Sequence, residues 1–165
     1  MKPGREIRVG MGYDIHRLEP GLPLTLGGVT MAHPTGLRAH SDGDALAHAI
    51  GDALLGALAL GDLGSHFPDT DPKWRGASSL AILGSIAGMV RGRGGRVLNV
   101  DATLIAEAPR IAPHVATIRE NLGGALGIDV DRVSVKATTN ERLGALGREE
   151  GIAAMAVAVV EVEGR

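Results

Sequence analysis

The sequence predicts an α+β fold: a single-domain α/β sandwich whose mixed β-sheet carries helices on one face and turns the other toward further copies of the chain. Three observations lead there. Segments with the period-two pattern of strands alternate along the chain with segments whose apolar residues recur three and four apart, as on helices. The final strand, Ile152 to Val162, is apolar on both faces up to Val160. Helices can cover only one face of so small a sheet, so the other must meet something apolar, most simply the same sheet in another subunit. Finally, aromatic residues make up only 2% of the 165 residues while glycine accounts for 25. A core of Ala, Val, Leu and Gly buries little area per residue, which again favours an oligomer with its sheets facing the axis.

Length and composition bound the function. Residues 1–165 are expected to form one domain, and 44% apolar residues suffice for a core. A net charge of −2 argues against nucleic acid as a partner. With no cysteine, disulfides and thiolate metal sites are excluded, so any metal must be held by His and carboxylate. No apolar run resembles a membrane span or a signal peptide, and the cytoplasm is the expected location.

In chain order, residues 1–6 read as a polar lead-in. Ile7-Arg8-Val9 starts a strand, punctuated by Gly10 and Gly12 before Tyr13-Asp14-Ile15-His16. On an extended segment Asp14 and His16 point to the same face. Residues 17–23 form a Pro/Gly loop, and residues 24–29 a short strand or hairpin arm with a glycine kink. His33-Pro34-Thr35-Gly36 is a turn. A helix of almost pure Ala, Leu and Ile then runs from Ala45 to Leu60, capped by Asp42 or Asp44. It carries Asp44, His48 and Asp52 at spacings of four, one polar stripe on an apolar rod. Leu60 to Trp74 is a long acidic loop stiffened by two prolines, and long ordered loops are usually functional. A second helix runs from Ala77 to about Arg91 and is stopped by Gly92 to Gly95. Val97 to Ala106 is a strand with Leu98, Val100, Ala102 and Leu104 on one face. Pro109 starts a third helix that reaches about Leu126 and ends on Gly127. Val133 to Thr138 is a strand, and residues 139–151 form a glycine-containing loop.

Asp14, His16 and His48 supply one carboxylate and two imidazoles. Three protein ligands with an open fourth position suit a reactive zinc site, and the same set suits non-haem Fe(II). The alternative is an Asp–His pair at a strand end beside a capped helix with a hydrogen-bonded core histidine. His33 and His114 read as surface or loop residues, His66 stays open, and His40 beside Ser41 can donate to an anion. Further on, Lys136-Ala137-Thr138-Thr139-Asn140-Glu141 ends a strand. Its ammonium, hydroxyls and free N–H groups can hold phosphate oxygens, and Glu141 could carry Mg²⁺ or Mn²⁺ bridging a diphosphate. A polar strand terminus and turn is the competing reading.

Seven motifs, in order, resemble those of the 2-C-methyl-D-erythritol 2,4-cyclodiphosphate synthase family: Gly12-Tyr13-Asp14-Ile15-His16, Ala39-His40-Ser41-Asp42-Gly43-Asp44, Asp52-Ala53-Leu54-Leu55-Gly56, Gly61-Asp62-Leu63-Gly64, Phe67-Pro68-Asp69-Thr70-Asp71-Pro72, Val135-Lys136-Ala137-Thr138-Thr139 and Glu150-Gly151-Ile152-Ala153. The resemblance implies a homotrimer with active sites between subunits. It implies conversion of 4-diphosphocytidyl-2-C-methyl-D-erythritol 2-phosphate to the cyclic diphosphate with release of CMP, in the non-mevalonate isoprenoid pathway. It also implies roles. Asp14, His16 and His48 match zinc ligands, and Glu141 the ligand of a second divalent ion, Mg²⁺ or Mn²⁺. His40 and Ser41 match contacts to the methylerythritol phosphate, and Asp62, Leu63 and Gly64 lie along the substrate. Phe67, Pro68, Asp69, Thr70 and Asp71 match a closing loop. Ala106, Glu107, Ala108, Pro109, Arg110, Ile111 and Ala112 match the cytidine and diphosphate pocket of the neighbouring subunit, with Lys136, Thr138, Thr139, Asn140 and Glu141. His40 and Thr139 match positions assigned to transition-state stabilisation. In two places the chain departs from the family: Ala145, near Arg148, stands where an aromatic often lines a channel on the trimer axis, and Arg110 stands where a lysine is usual. The rival functions are a metal-dependent phosphohydrolase, a zinc-stabilised trimeric binding module and an iron oxygenase.

Overall fold

The computed structural model describes residues 4–164. Its organising contact lies between the first strand, β1 (Arg5–Pro20), and the first long helix, α1 (Ala45–Ala57). Gly10 and Gly12 do not interrupt β1 but sit inside it. A Cβ on Gly10 would lie 1.9 Å from the Ala53 carbonyl oxygen, and one on Gly12 1.9 Å from that of Ala49. The helix therefore rests on the strand backbone to backbone, and only glycine permits that approach. Ala45, Ala49 and Ala53 are fully buried, which completes a small-residue seam between the two elements.

Around this pair the chain forms β2 (Leu24–Leu26), β3 (Val29–Met31), β4 (Thr35–Leu37), α2 (Leu63–His66), α3 (Ser79–Gly92), β5 (Arg96–Ile105), α4 (Val115–Leu126), β6 (Val133–Thr138), α5 (Gly144–Gly147) and β7 (Gly151–Glu163). The five-stranded sheet has the order β4-β1-β7-β5-β6, while β2 and β3 form a separate hairpin. β5 and β6 run parallel, and the pairs β1–β7, β5–β7 and β1–β4 run antiparallel. The sheet is thus mixed, as expected. α1, α3 and α4 pack on one face over a single apolar cluster that includes Ile50, Leu54, Leu83, Ile86, Leu104, Ile118 and Leu122. On the other face Val9, Met11 and Tyr13 are 64%, 69% and 52% exposed. Ile7, Ile15, Met155 and Val157 continue that exposed apolar surface.

Several boundaries move from those expected. Of the polar lead-in, residues 1–3 lie outside the described residues, and Arg5 and Glu6 already belong to β1, paired with Glu163 and Val162. Residues 17–20 are strand rather than loop, because β1 passes from β7 to β4 and pairs Leu18 with Leu37 and Pro20 with Thr35. The same pairing makes residues 35–37 a strand where a turn was expected. α1 ends at Ala57, since Ala59 and Gly61 take positive φ. In β5 a register irregularity between Val97 and Asn99 turns Val97 inward and leaves Leu98 half-exposed. Pro109 does not start a helix. The segment before Ile111 lines a cavity, and Pro113 occupies the helix-start position of the short Ala112–His114 turn that leads into α4. Gly127 ends α4 in the left-handed conformation, φ 71°, as the glycine there predicts.

Candidate metal centre and the adjoining cavities

β1 aims Asp14 and His16 at α1, and α1 aims His48 back. The Asp14 Oδ2 oxygen lies 2.9 Å from His16 Nε2 and 3.1 Å from His48 Nδ1, and the two nitrogens are 3.2 Å apart. All three residues are half-buried. The triangle suits a cation. Bonds of 2.0–2.1 Å in a tetrahedron place neighbouring ligands about 3.3 Å apart. Two imidazole nitrogens facing one carboxylate oxygen at this range present three lone pairs when both histidines are neutral, and one cation satisfies all three. Among the described residues this is the only cluster of three or more such groups able to hold a metal.

The electrostatics point the same way. Burial alone would push the Asp14 carboxyl up, but hydrogen bonds and attraction from His16 and His48 outweigh it and hold the group well below the usual carboxylate range. For His48, burial works against the charged form, yet Asp14, with help from Asp44 and Asp42, raises its pKa. Asp14, Asp44 and Asp42 thus place negative charge around the His48 imidazole.

The polar stripe on α1 divides into three tasks. Asp44 is wholly buried and caps the helix: it accepts from Ala47 N–H at 3.1 Å and Gly28 N–H at 2.8 Å, tying the β2–β3 turn to the helix. Burial raises its pKa against the pull of these N–H groups. His48 belongs to the triad. Asp52 accepts from Leu63 N–H at 2.7 Å and so anchors α2 over the site.

A cavity of about 510 Å³ opens beside the triad. His40, Ser41, Asp62, Leu63, Gly64, Phe67 and Asp69 line it, as the resemblance leads one to expect, while Pro68, Thr70 and Asp71 do not. Asp71 instead caps the Pro72–Trp74 turn. His40, one of the lining residues, has its Nε2 buried with no hydrogen-bond partner, an orphaned polar atom. Ala39, Asp52, Trp74 and Ile82 also line the cavity; the sequence reading has Ala39 and Asp52 in its motifs without placing them here, and it singles out neither Trp74 nor Ile82 as a site residue. The polar stripe at spacings of four puts Asp52 one turn beyond His48 on the same helix face. Trp74, set edge-on against Phe67 with centroids 4.9 Å apart, carried no local signal. His66 is structural, bonded to the Leu60 carbonyl at 2.9 Å.

A second cavity, about 590 Å³, lies where β5 and β6 end. Ala106, Glu107, Pro109, Arg110, Ile111, Ala112, Thr138, Thr139 and Glu141 line it. Glu107 organises it by accepting from the N–H groups of Asn140 and Arg142, at 2.9 and 3.1 Å. Thr139 donates to Glu141 at 3.2 Å. Ala108, Lys136 and Asn140 are absent from the lining. Lys136 is paired with Asp101 instead. Ala145 lies apart beside Ile15 and Arg17, and Arg148 is held by Glu150 at 2.7 Å. Within one chain the two cavities remain separate, one at the β1 side of the sheet and the other at its β6 edge.

The YgbB family model matches residues 7–161. A 2-C-methyl-D-erythritol 2,4-cyclodiphosphate synthase of Ectopseudomonas mendocina is 58% identical over 93% of this chain and 98% of its own. A solved synthase of the same name, in a CDP-bound form, superposes with a TM-score of 0.85 at 40% identity, over 93% of this chain and 99% of that one. The bifunctional IspDF of Campylobacter jejuni superposes with a TM-score of 0.93 at 40% identity, over 98% of this chain, which spans 44% of the bifunctional one.

Proposed function

The chain belongs to the YgbB family, and from that premise we propose that its triad and the two cavities carry out the chemistry of its synthase relatives. The reaction is a cyclising phosphorus–oxygen lyase reaction: 4-diphosphocytidyl-2-C-methyl-D-erythritol 2-phosphate becomes 2-C-methyl-D-erythritol 2,4-cyclodiphosphate, with release of CMP, in the non-mevalonate route to isoprenoids. The observation that carries the assignment is the convergence of Asp14, His16 and His48 beside the 510 Å³ cavity, in a chain that matches a synthase along almost its whole length.

The substrate brings its own nucleophile, since its 2-phosphate is ionised at neutral pH. An oxygen of that phosphate forms a bond to the β-phosphorus, the bond from β-phosphorus to the bridging oxygen breaks, and CMP leaves with that oxygen. No strong protein base is needed, so the work of the chain is positioning and charge neutralisation. Asp14, His16 and His48 would hold one divalent ion, Zn²⁺ by the family resemblance, which would when bound polarise a phosphate oxygen. His40 offers its unpartnered Nε2 and Ser41 its hydroxyl to the methylerythritol phosphate. Asp62, Leu63 and Gly64 lie along the carbon chain, and the segment from Phe67 to Asp71 closes over it. Residues 106–112, with Thr138, Thr139 and Asn140, take the cytidine and diphosphate. Thr139 and His40 steady the attacked phosphorus, and Glu141 would hold a second divalent ion, Mg²⁺ or Mn²⁺, which would neutralise diphosphate charge. Lys136 and Arg148 would first have to leave Asp101 and Glu150.

The separation of the cavities supports a site shared between copies of the chain, and the family resemblance makes that assembly a homotrimer. The apolar open face would pack around its axis, and the β6 edge of one copy would complete the metal-side cavity of the next. Residues 1–165 act as one synthase domain. No helix among the described residues is long and apolar enough to cross a membrane, and the cytoplasm is proposed because a polyanionic substrate crosses no membrane unaided.

³¹P NMR of the purified protein with the diphosphocytidyl substrate and Mg²⁺ tests the assignment. CMP with two coupled resonances of a cyclic diphosphate is expected. CMP with only linear phosphates would replace cyclisation by hydrolysis.

A further inference from the structure

One buried hydroxyl has no place in the scheme above. Ser79, the first residue of α3, is only 1% exposed. Its hydroxyl is not needed by the helix, because Ser78 is the N-cap and accepts from Ala81 N–H. Nor does it line the substrate cavity. Burying a hydroxyl is costly unless it is bonded, and this one is bonded twice. It donates to Asp42 Oδ1, and it lies 2.9 Å from Nε2 of His48.

The hydrogen count sets the direction of both bonds. A serine hydroxyl has one hydrogen and spare lone pairs. The Asp42 carboxylate only accepts, so the single hydrogen goes to it. The oxygen of Ser79 can then only accept from His48, which must carry a hydrogen on Nε2. In a neutral imidazole that leaves Nδ1 bare, and Nδ1 is the atom turned toward Asp14 and His16.

We propose that Ser79, backed by Asp42, is a positioning residue for the metal centre: it keeps the hydrogen of His48 on Nε2 and the ring oriented, so that Nδ1 is presented to the ion. This rests on the reading of Asp14, His16 and His48 as metal ligands. Asp42 is itself pinned, since it accepts from Ser79 N–H at 2.9 Å and Asp44 N–H at 3.2 Å, and its own N–H donates to Ala77 O at 3.2 Å. The chain of contacts therefore runs from the backbone at the start of α3, through a carboxylate and a hydroxyl, to a ligand on α1. Ser41 Oγ also faces Nε2, at 3.2 Å, but Ser41 lines the cavity and is assigned to the substrate. Ser79 is the partner that substrate binding leaves in place. Partners of this kind fix the tautomer of a ligating histidine and raise its basicity.

The test uses the full-length protein and two probes, Zn²⁺ alone and Co²⁺ alone, titrated against a competing chelator. Ser79→Ala keeps the backbone N–H that Asp42 holds, so the helix start survives. It is expected to bind both ions about 10- to 100-fold more weakly and to shift the visible absorption of bound Co²⁺. A folded Ser79→Ala protein with affinity within about twofold of wild type and an unchanged Co²⁺ spectrum overturns the proposal. Should that variant not fold, Asp42→Ala decides by the same readings, since it leaves the hydroxyl but removes the acceptor behind it. A wild-type protein that binds neither ion would remove the metal reading itself. Unchanged binding in the variants removes only the role of Ser79.

Discussion

Met11 and Gly12 are neighbours on β1, and they face opposite fates. Gly12 points at α1 so closely that a single added carbon would overlap the Ala49 carbonyl. Met11 points the other way and is 69% exposed. The contrast extends along the sheet. Its covered face is closed within the chain by Ala, Gly, Leu and Ile packed to backbone contact, and it carries the metal triad at one end. Its open face is apolar along β1 and β7 and closes against nothing among the described residues. A contiguous exposed apolar surface marks an interaction site, so the covered face has to do with folding and the open face with assembly. Alternate residues of one strand serve these two ends because strand side chains alternate between faces.

The largest effect should come from attacking the covered face. Gly12→Val puts a branched side chain where the Ala49 carbonyl already stands 1.9 Å from an ideal Cβ. Helix and strand must separate, and a loss of about 3 kcal/mol or more is expected in urea unfolding. Near-wild-type stability would mean that the two elements are not in backbone contact. Next comes the open face. Met11→Glu should leave far-UV circular dichroism unchanged but place charges at the proposed interface. Sedimentation should then show a smaller species, and turnover should fall with it. An intact trimer from this variant would break the comparison, because the open face would not be the interface.

The smallest effect sharpens the comparison at the metal-side end. Asp14 has a depressed folded pKa, so its contribution is present above the ordinary carboxylate value, about 4, and fades as the pH falls below it. His48 has a raised folded pKa, so its contribution is present below the ordinary imidazole value, about 6.5, and is lost as the pH rises through the folded one. Metal-free protein should therefore show the largest stability advantage over Asp14→Asn between about pH 4 and about pH 6.5. A difference independent of pH across that window would show that the cluster is not coupled to folding.

How much of this was legible follows the range of the interactions. The α1 helix, its cap at Asp42 or Asp44 (the structure takes Asp44), β6 and the Gly127 stop were readable because cap chemistry, periodicity and left-handed glycine depend on residues within one turn. The pairing of Asp14 with His16 was readable for the same reason, since period two puts them on one face. His48 joins them only through the packing of α1 on β1, which the helix stripe suggested but could not place. Gly10 and Gly12 were visible as glycines, but their role was not, because the atoms they make room for belong to Ala53 and Ala49. Pro109 was legible as a helix start, but the segment up to Ile111 lines a cavity and the proline at the observed start is Pro113.

By itself, then, the amino-acid sequence determined which segments could be strand or helix, that one sheet face would stay apolar and unmatched, and which side chains could hold a metal or phosphate. These follow from local geometry and from the chemistry of each residue type. Tertiary structure decided the rest. It carried β1 through to Pro20 by supplying β4 as a partner. It turned Lys136 to Asp101 and set Ser79, 31 residues from His48 and 37 from Asp42, between the two. Such pairings depend on which surfaces meet once the sheet and helices pack, and no periodicity within a segment records them.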